Sequence, residues 1–164
     1  MELPPSPALP DSTVTRRLAD GSWTVAGLRA ELDARVKEGD AGIQVDVTAT
    51  VARVYTPPVC PPEILCPPAE LPHVWVLDDL RDDDMLQRMM VVGYRVDIPE
   101  REAERWEGVP EIVLEQGKTY TFRGVFRQFS DTGFSEALGL LEFRAVRSAG
   151  GWVMPRGAPW DLGE

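Results

Sequence analysis

The chain has 164 residues, with 27 acidic side chains against 17 basic ones and a formal charge of −10. That length suits one domain able to bury a core without a metal or disulfide framework. The charge disfavours nucleic-acid backbones and anionic membranes at long range and favours cationic partners, and no run of about 18 apolar residues offers a membrane span.

Residues 1–21 begin with four prolines (Pro4, Pro5, Pro7, Pro10) and read as an extended tether. The start lacks the basic and apolar regions of a signal peptide. Tethers of this kind often follow an export signal or a lipidated cysteine, so a lipid anchor upstream stays open, as does a cytoplasmic terminus. A helix is expected next. Ser22 or Thr24 can cap it, Val25, Leu28, Leu32 and Val36 recur at helical spacing, and Gly39 stops it.

Residues 43–51 alternate strictly, with Ile43, Val45, Val47, Ala49 and Val51 apolar and the residues between them polar. This predicts a strand with one packed face. Val54 continues the apolar series on the other parity, as a β-bulge would produce. A proline-rich segment follows, Cys60-Pro61-Pro62-Glu63-Ile64-Leu65-Cys66-Pro67-Pro68, which holds the two cysteines of the chain.

A second strand is expected at 73–77. Then comes a turn, 78–84, with five aspartates. A third strand, 89–94, is apolar on both parities and so should be covered on both faces. Residues 99–106 suggest a short charged helix with proline at its first turn. The fourth strand begins after Gly117 and places Tyr120, Phe122, Gly124 and Phe126 on one face. After a turn at 131–133, the final strand spans 140–146, with Leu141, Phe143 and Ala145 on one face.

The order is helix, three strands, short helix, two strands. With this order, and with the Gly117-Lys118-Thr119-Tyr120-Thr121-Phe122-Arg123-Gly124 segment as fourth strand, residues 43–146 resemble an OB-fold domain. The fold class expected is mainly β, a five-stranded OB-fold Greek-key barrel with an N-terminal helix and a short helix between strands 3 and 4. The domain would span 22–148. Residues 149–164 would form a tail anchored by Trp152 and Trp160. The chain is also similar to small bacterial OB-fold proteins of the cell envelope, many of them uncharacterised and some lipid-anchored. The resemblance implies a ligand-binding barrel, with the loop between strands 1 and 2 beside the usual binding face.

Cys60 and Cys66, six apart in a turn-rich loop, can reach disulfide separation, which would indicate an oxidising compartment. Two reduced thiols are the alternative. A third reading is a metal- or redox-responsive site using Cys60, Cys66 and His73, although the spacing matches no standard zinc motif. The aspartate turn could hold calcium but lacks EF-hand spacing, and reads as a solvated hairpin.

Trp75 and Tyr94 would lie where OB-fold proteins stack bases, and Arg53, Arg123 and Arg127, with Arg88, Arg95 and Arg144, could line a basic stripe. The opposing reading makes the aromatics core and the arginines strand-edge solubilisers. His73 is the one histidine, and no nucleophile elbow, phosphate loop or paired metal motif is present. The expectation is a non-enzymatic binding or scaffolding module without a cofactor, in the periplasm or anchored at the outer membrane, with a protein or other non-nucleic ligand. A cytoplasmic module for single-stranded nucleic acid is the alternative.

Overall fold

The computed structural model describes residues 15–66, 68–81, 87–96, 98–109, 111–149 and 151–158. Its elements in chain order are α1 (Val25–Ala30), α2 (Leu32–Asp40), β1 (Gln44–Val54), β2 (His73–Leu77), β3 (Met89–Val92), a 3-10 helix (Glu100–Trp106), β4 (Thr119–Phe129), β5 (Ser135–Ser148) and β6 (Gly151–Val153).

β1 organises the sheet. Val45, Val47, Ala49 and Val51 are buried, while Gln44, Asp46 and Thr48 between them are partly exposed, as period-2 patterning requires. Its register shifts between Val51 and Arg53, just before the parity slip read at Val54. The bend gives β1 two partners. Gln44 to Thr50 pair with β4, and Thr50 to Val54 pair with β2. β2 pairs with β3, β3 runs parallel to β5, and β5 returns antiparallel to β4. Five strands thus close a barrel-like ring in the order β1-β2-β3-β5-β4. β6 extends the sheet from β5 as a sixth strand.

The inward residues form one core, with Phe122, Phe126, Phe143, Val47, Val74, Met89 and Leu141 fully buried. Trp23, Val25 and Leu28 close over it from the N-terminal side. Trp23 also continues the sheet: its N–H donates to Asp46 O at 2.7 Å and its carbonyl accepts from Thr48 N at 3.0 Å.

Several sequence expectations need correction. The single helix is two, broken at Glu31 (φ −121°, ψ 38°). Thr24 is the cap, its Oγ1 accepting from Gly27 N–H at 2.8 Å. Asp78 adds a long-range cap, with Oδ1 accepting from Val25 N–H (2.7 Å) and Oδ2 from Ala26 N–H (3.0 Å). Gly39 does not stop the helix. It lies inside α2, where a Cβ would collide with the Phe126 carbonyl of β4. Glycine is needed there for close approach. Ile43 lies outside β1 and is exposed, its N–H donating to Glu38 O at 3.0 Å. β5 begins at Ser135, five residues before the expected start, because Ser135 pairs with Phe129 at the end of β4 across a register shift. The charged helix is a 3-10 segment with Pro99 at its N-cap and no buried residue.

Candidate functional site

The outer face of β2 and β3 is the face that the loops frame. Arg53 lies opposite Trp75, Trp75 opposite Met90 and His73 opposite Val92, so strand alternation puts these side chains on one surface. Met90 and Val92 are buried on that surface together with Leu140, against half-buried Trp75 and Phe134. β3 is therefore covered on both faces, as its continuous apolar run requires.

An aromatic cluster locks two loops onto this face. The His73 ring stacks on Tyr55 (4.6 Å between centroids) and meets Phe134 (5.1 Å) and Trp75 (6.3 Å) edge-on. His73 is 3% exposed. Its Nδ1 is 2.9 Å from Leu71 O, and because a carbonyl only accepts, Nδ1 carries the proton. Nε2 then faces Glu70 Oε2 at 3.7 Å. Tyr55 N–H donates to His73 O at 3.0 Å, and the Tyr55 hydroxyl accepts from Glu70 N–H at 3.0 Å. The β1–β2 loop is thus pinned at its base.

Beyond that base, residues 56–65 are all exposed. Cys60 and Cys66 form a disulfide with a Cα separation of 5.9 Å, and Ile64 N–H donates to Pro61 O at 3.2 Å inside the ring. Val59 and Leu65 are fully exposed aliphatic side chains at the tip, with Ile64 62% exposed beside them. With both sulfurs bridged, neither cysteine is a thiolate ligand in this structure.

The β4–β5 hairpin supplies the facing wall. Its anchor is Glu142, a carboxylate 5% exposed between the fully buried Leu141 and Phe143 of β5. Oε1 accepts from Asp131 N–H at 2.8 Å, while Oε2 accepts from Arg127 Nη1 at 3.2 Å and Arg144 Nη2 at 3.5 Å. Arg127 also reaches Asp131 Oδ2 at 3.4 Å and donates through Nε to Gly39 O at 3.3 Å. One buried carboxylate thus holds the turn, two guanidinium groups and, through Arg127, the end of α2. At the other side of the hairpin, Gly139 (φ +93°) lies where a Cβ would strike the Phe126 ring.

Between loop and hairpin lies a groove of about 690 Å³, within the usual size range of ligand sites. Leu71, Pro72, Val92 and Val96 give it an apolar lining, and Arg95, Arg144, Asp131 and Glu142 give it charged edges. The charged groups of the hairpin neutralise one another, whereas Arg95 is exposed and forms no ion pair among the described residues.

The residues picked from sequence do not converge on one surface. Trp75 and Arg53 share the outer face. Tyr94 is 5% exposed, packed edge-on against Phe143 in the interior, so it offers no ring to a ligand. Burial pushes its phenol pKa up, which nearby Arg95 partly offsets. Arg123 lies on the β1–β4 surface, paired with Asp46 (2.8 Å) and over the Trp152 ring (4.0 Å). Trp152 in turn is flanked by Arg147 at 4.9 Å, whereas Trp160 lies outside the described residues. Arg127 belongs to the hairpin network, and Arg88 is half-buried, its carbonyl accepting from Arg29.

In the acidic turn, Asp78 caps α1 and Asp79 pairs with Arg81 at 2.7 Å, which lowers the Asp79 pKa to about 2. Asp82, Asp83 and Asp84 lie outside the described residues. No cluster of three or more metal-ligating side chains occurs among the described residues.

The groove residues missed from sequence are Glu142, Leu71 and Val96. Glu142 carried a signal, an acid inside the apolar run Leu140-Leu141-Glu142-Phe143. Leu71 and Val96 carried none, since β2–β3 pairing sets 71–72 beside 92–96 and only the β3–β5 ring closure brings both to the hairpin wall. No known protein family, curated protein or solved structure matches the chain.

Proposed function

We infer that this chain is a non-enzymatic binding module built on an OB-fold barrel, and that it grips a segment of a protein partner in the groove between the β1–β2 loop and the β4–β5 hairpin. The observation that carries this is the placement of the groove. It lies on the outer side of the β3–β5 seam, where Val92 pairs with Glu142, between the β1–β2 loop and the β4–β5 hairpin, the same two loops that OB-folds use for ligands. The ring order β1-β2-β3-β5-β4 supports the fold reading. An apolar lining with a guanidinium at its edge suits an extended segment bearing an aliphatic side chain beside a carboxylate. The exposed Cys60–Cys66 bridge supports residence in an oxidising compartment, for which the bacterial envelope is our proposal.

The test is selection of peptides from a displayed random library on immobilised wild-type protein, followed by titration of the winners against Leu71→Asp and Val96→Asp variants. Winners enriched in aliphatic-acidic pairs that lose about tenfold or more in affinity for either variant support the reading. Absence of winners, or winners indifferent to both substitutions, overturns it. A parallel titration with labelled oligothymidylate at low salt addresses the nucleic-acid alternative, which requires steeply salt-dependent binding. Trp75 and Arg53 on the outer face are what favour that alternative, and the formal charge of −10 opposes it.

A further inference from the structure

The loop tip and the groove are complementary. Residues 55–72 contain no lysine or arginine and two glutamates, Glu63 and Glu70. An apolar tip with this charge suits neither an anionic lipid surface nor nucleic acid. It suits an apolar cavity with a cation at its edge. The groove of the same chain is such a cavity, with Leu71, Val92 and Val96 in its lining and the exposed Arg95 at its edge. The tip is also preorganised by its disulfide and by the Pro61–Ile64 turn, so little conformational freedom is lost when it docks.

We propose that the groove receives the loop tip of a second copy of this chain. Ile64 and Leu65 of one copy enter the groove of the other, and Glu63 meets the second copy's Arg95. The loop runs into the groove wall at Leu71 and Pro72, so donor and acceptor surfaces are neighbours on one molecule. A two-fold axis between two copies then exchanges both tips at once, and the assembly closes as a dimer without growing into a fibre. At about 0.15 M ionic strength the Debye length is about 8 Å, which screens the bulk repulsion between two acidic chains but leaves a close Glu–Arg contact effective. This inference rests on the groove being a binding site and names its occupant.

Sedimentation equilibrium of the full chain, from low micromolar to several hundred micromolar, tests it. The wild type is expected to form a reversible dimer. Leu65→Glu and Arg95→Glu should each weaken dimerisation by about tenfold or more. Because both residues are surface-exposed, an unchanged circular dichroism spectrum verifies folding. Glu63→Arg alone should weaken the dimer, and Glu63→Arg combined with Arg95→Glu should restore it. A chain monomeric throughout, or a dimer indifferent to these changes, overturns the proposal. The peptide titration repeated on Leu65→Glu separates the two readings. If that variant still binds selected peptides while the wild type is monomeric, the groove stands and self-docking falls. If it binds none, the groove itself is at fault.

Discussion

Replacing Glu142 by glutamine tests the hairpin wall at its anchor. The wild-type carboxylate accepts from one backbone N–H and two guanidinium groups and is nearly buried. Glutamine keeps the shape and the bond from Asp131 N–H but removes the charge that balances Arg127 and Arg144. Hydrogen bonds to charged groups contribute about 1.5–3 kcal/mol each, and leaving a buried charge without its partner costs about 3–5 kcal/mol. Arg127 keeps Asp131 and the Gly39 carbonyl, and both arginines retain some solvent, so the loss stays below the full buried-charge cost, at about 2–3 kcal/mol. For a chain of this size that is a fall in Tm of about 4–12 °C. Urea unfolding of E142Q, R127M and the double variant would show the coupling directly. A coupling energy above about 1 kcal/mol is expected for groups in one network. Additive losses, or an E142Q chain as stable as wild type, would refute the claim that Glu142 holds the hairpin.

Gly39→Ala should destabilise by about 1–3 kcal/mol, because overpacking against the Phe126 carbonyl outweighs the roughly 1 kcal/mol that alanine gains in an open helix; a stabilised variant in the same urea assay would show that α2 does not lie against β4. The Tyr94 phenol, raised by burial, should remain protonated while the exposed-state tyrosine value near 10 is passed. The unfolded chain ionises first, so this contribution is fully present below pH of about 10 and is lost as pH rises beyond it; absorbance at alkaline pH that shows Tyr94 titrating with the other tyrosines in the folded chain would contradict its burial. Asp79 is lowered to about 2 by Arg81, so its favourable interaction is present above the usual aspartate pKa and lost as pH falls towards 2. Carboxyl carbon shifts should follow that course and return to the ordinary range in Arg81→Ala. Reducing Cys60–Cys66 should lower stability by at most about 2 kcal/mol, since the ring is short, and a thiol assay of denatured, unreduced protein should find no free thiol.

Much of the ring was legible because strands announce themselves locally. The alternation from Val45 to Val51, the both-sided apolar run at Met89–Val92 and the parity slip before Val54 each depend on a few adjacent residues. Thr24 as a cap is equally local. The disulfide was open among alternatives in the sequence and is present in the fold. What escaped depends on distant partners. Asp78 caps α1 across 53 residues. Gly39 serves a strand carbonyl 87 positions later, and no spacing rule distinguishes that role from a helix stop. Tyr94 follows Gly93 and turns inward, so a residue expected on the ligand face ends in the core. The groove was half legible. The loop that forms one wall stood out by composition, but the opposite wall required knowing that Glu142 faces Arg127 and Arg144.

The proposed function puts ligand entry between the β1–β2 loop and the β4–β5 hairpin. Amide hydrogen exchange of the full chain, with and without a selected peptide, measures this most directly. New protection is expected at 69–73, 92–96 and 130–144, with the β1–β4 surface around Asp46 and Arg123 unchanged. Protection confined to that β1–β4 surface, with the groove segments unaffected, would contradict it.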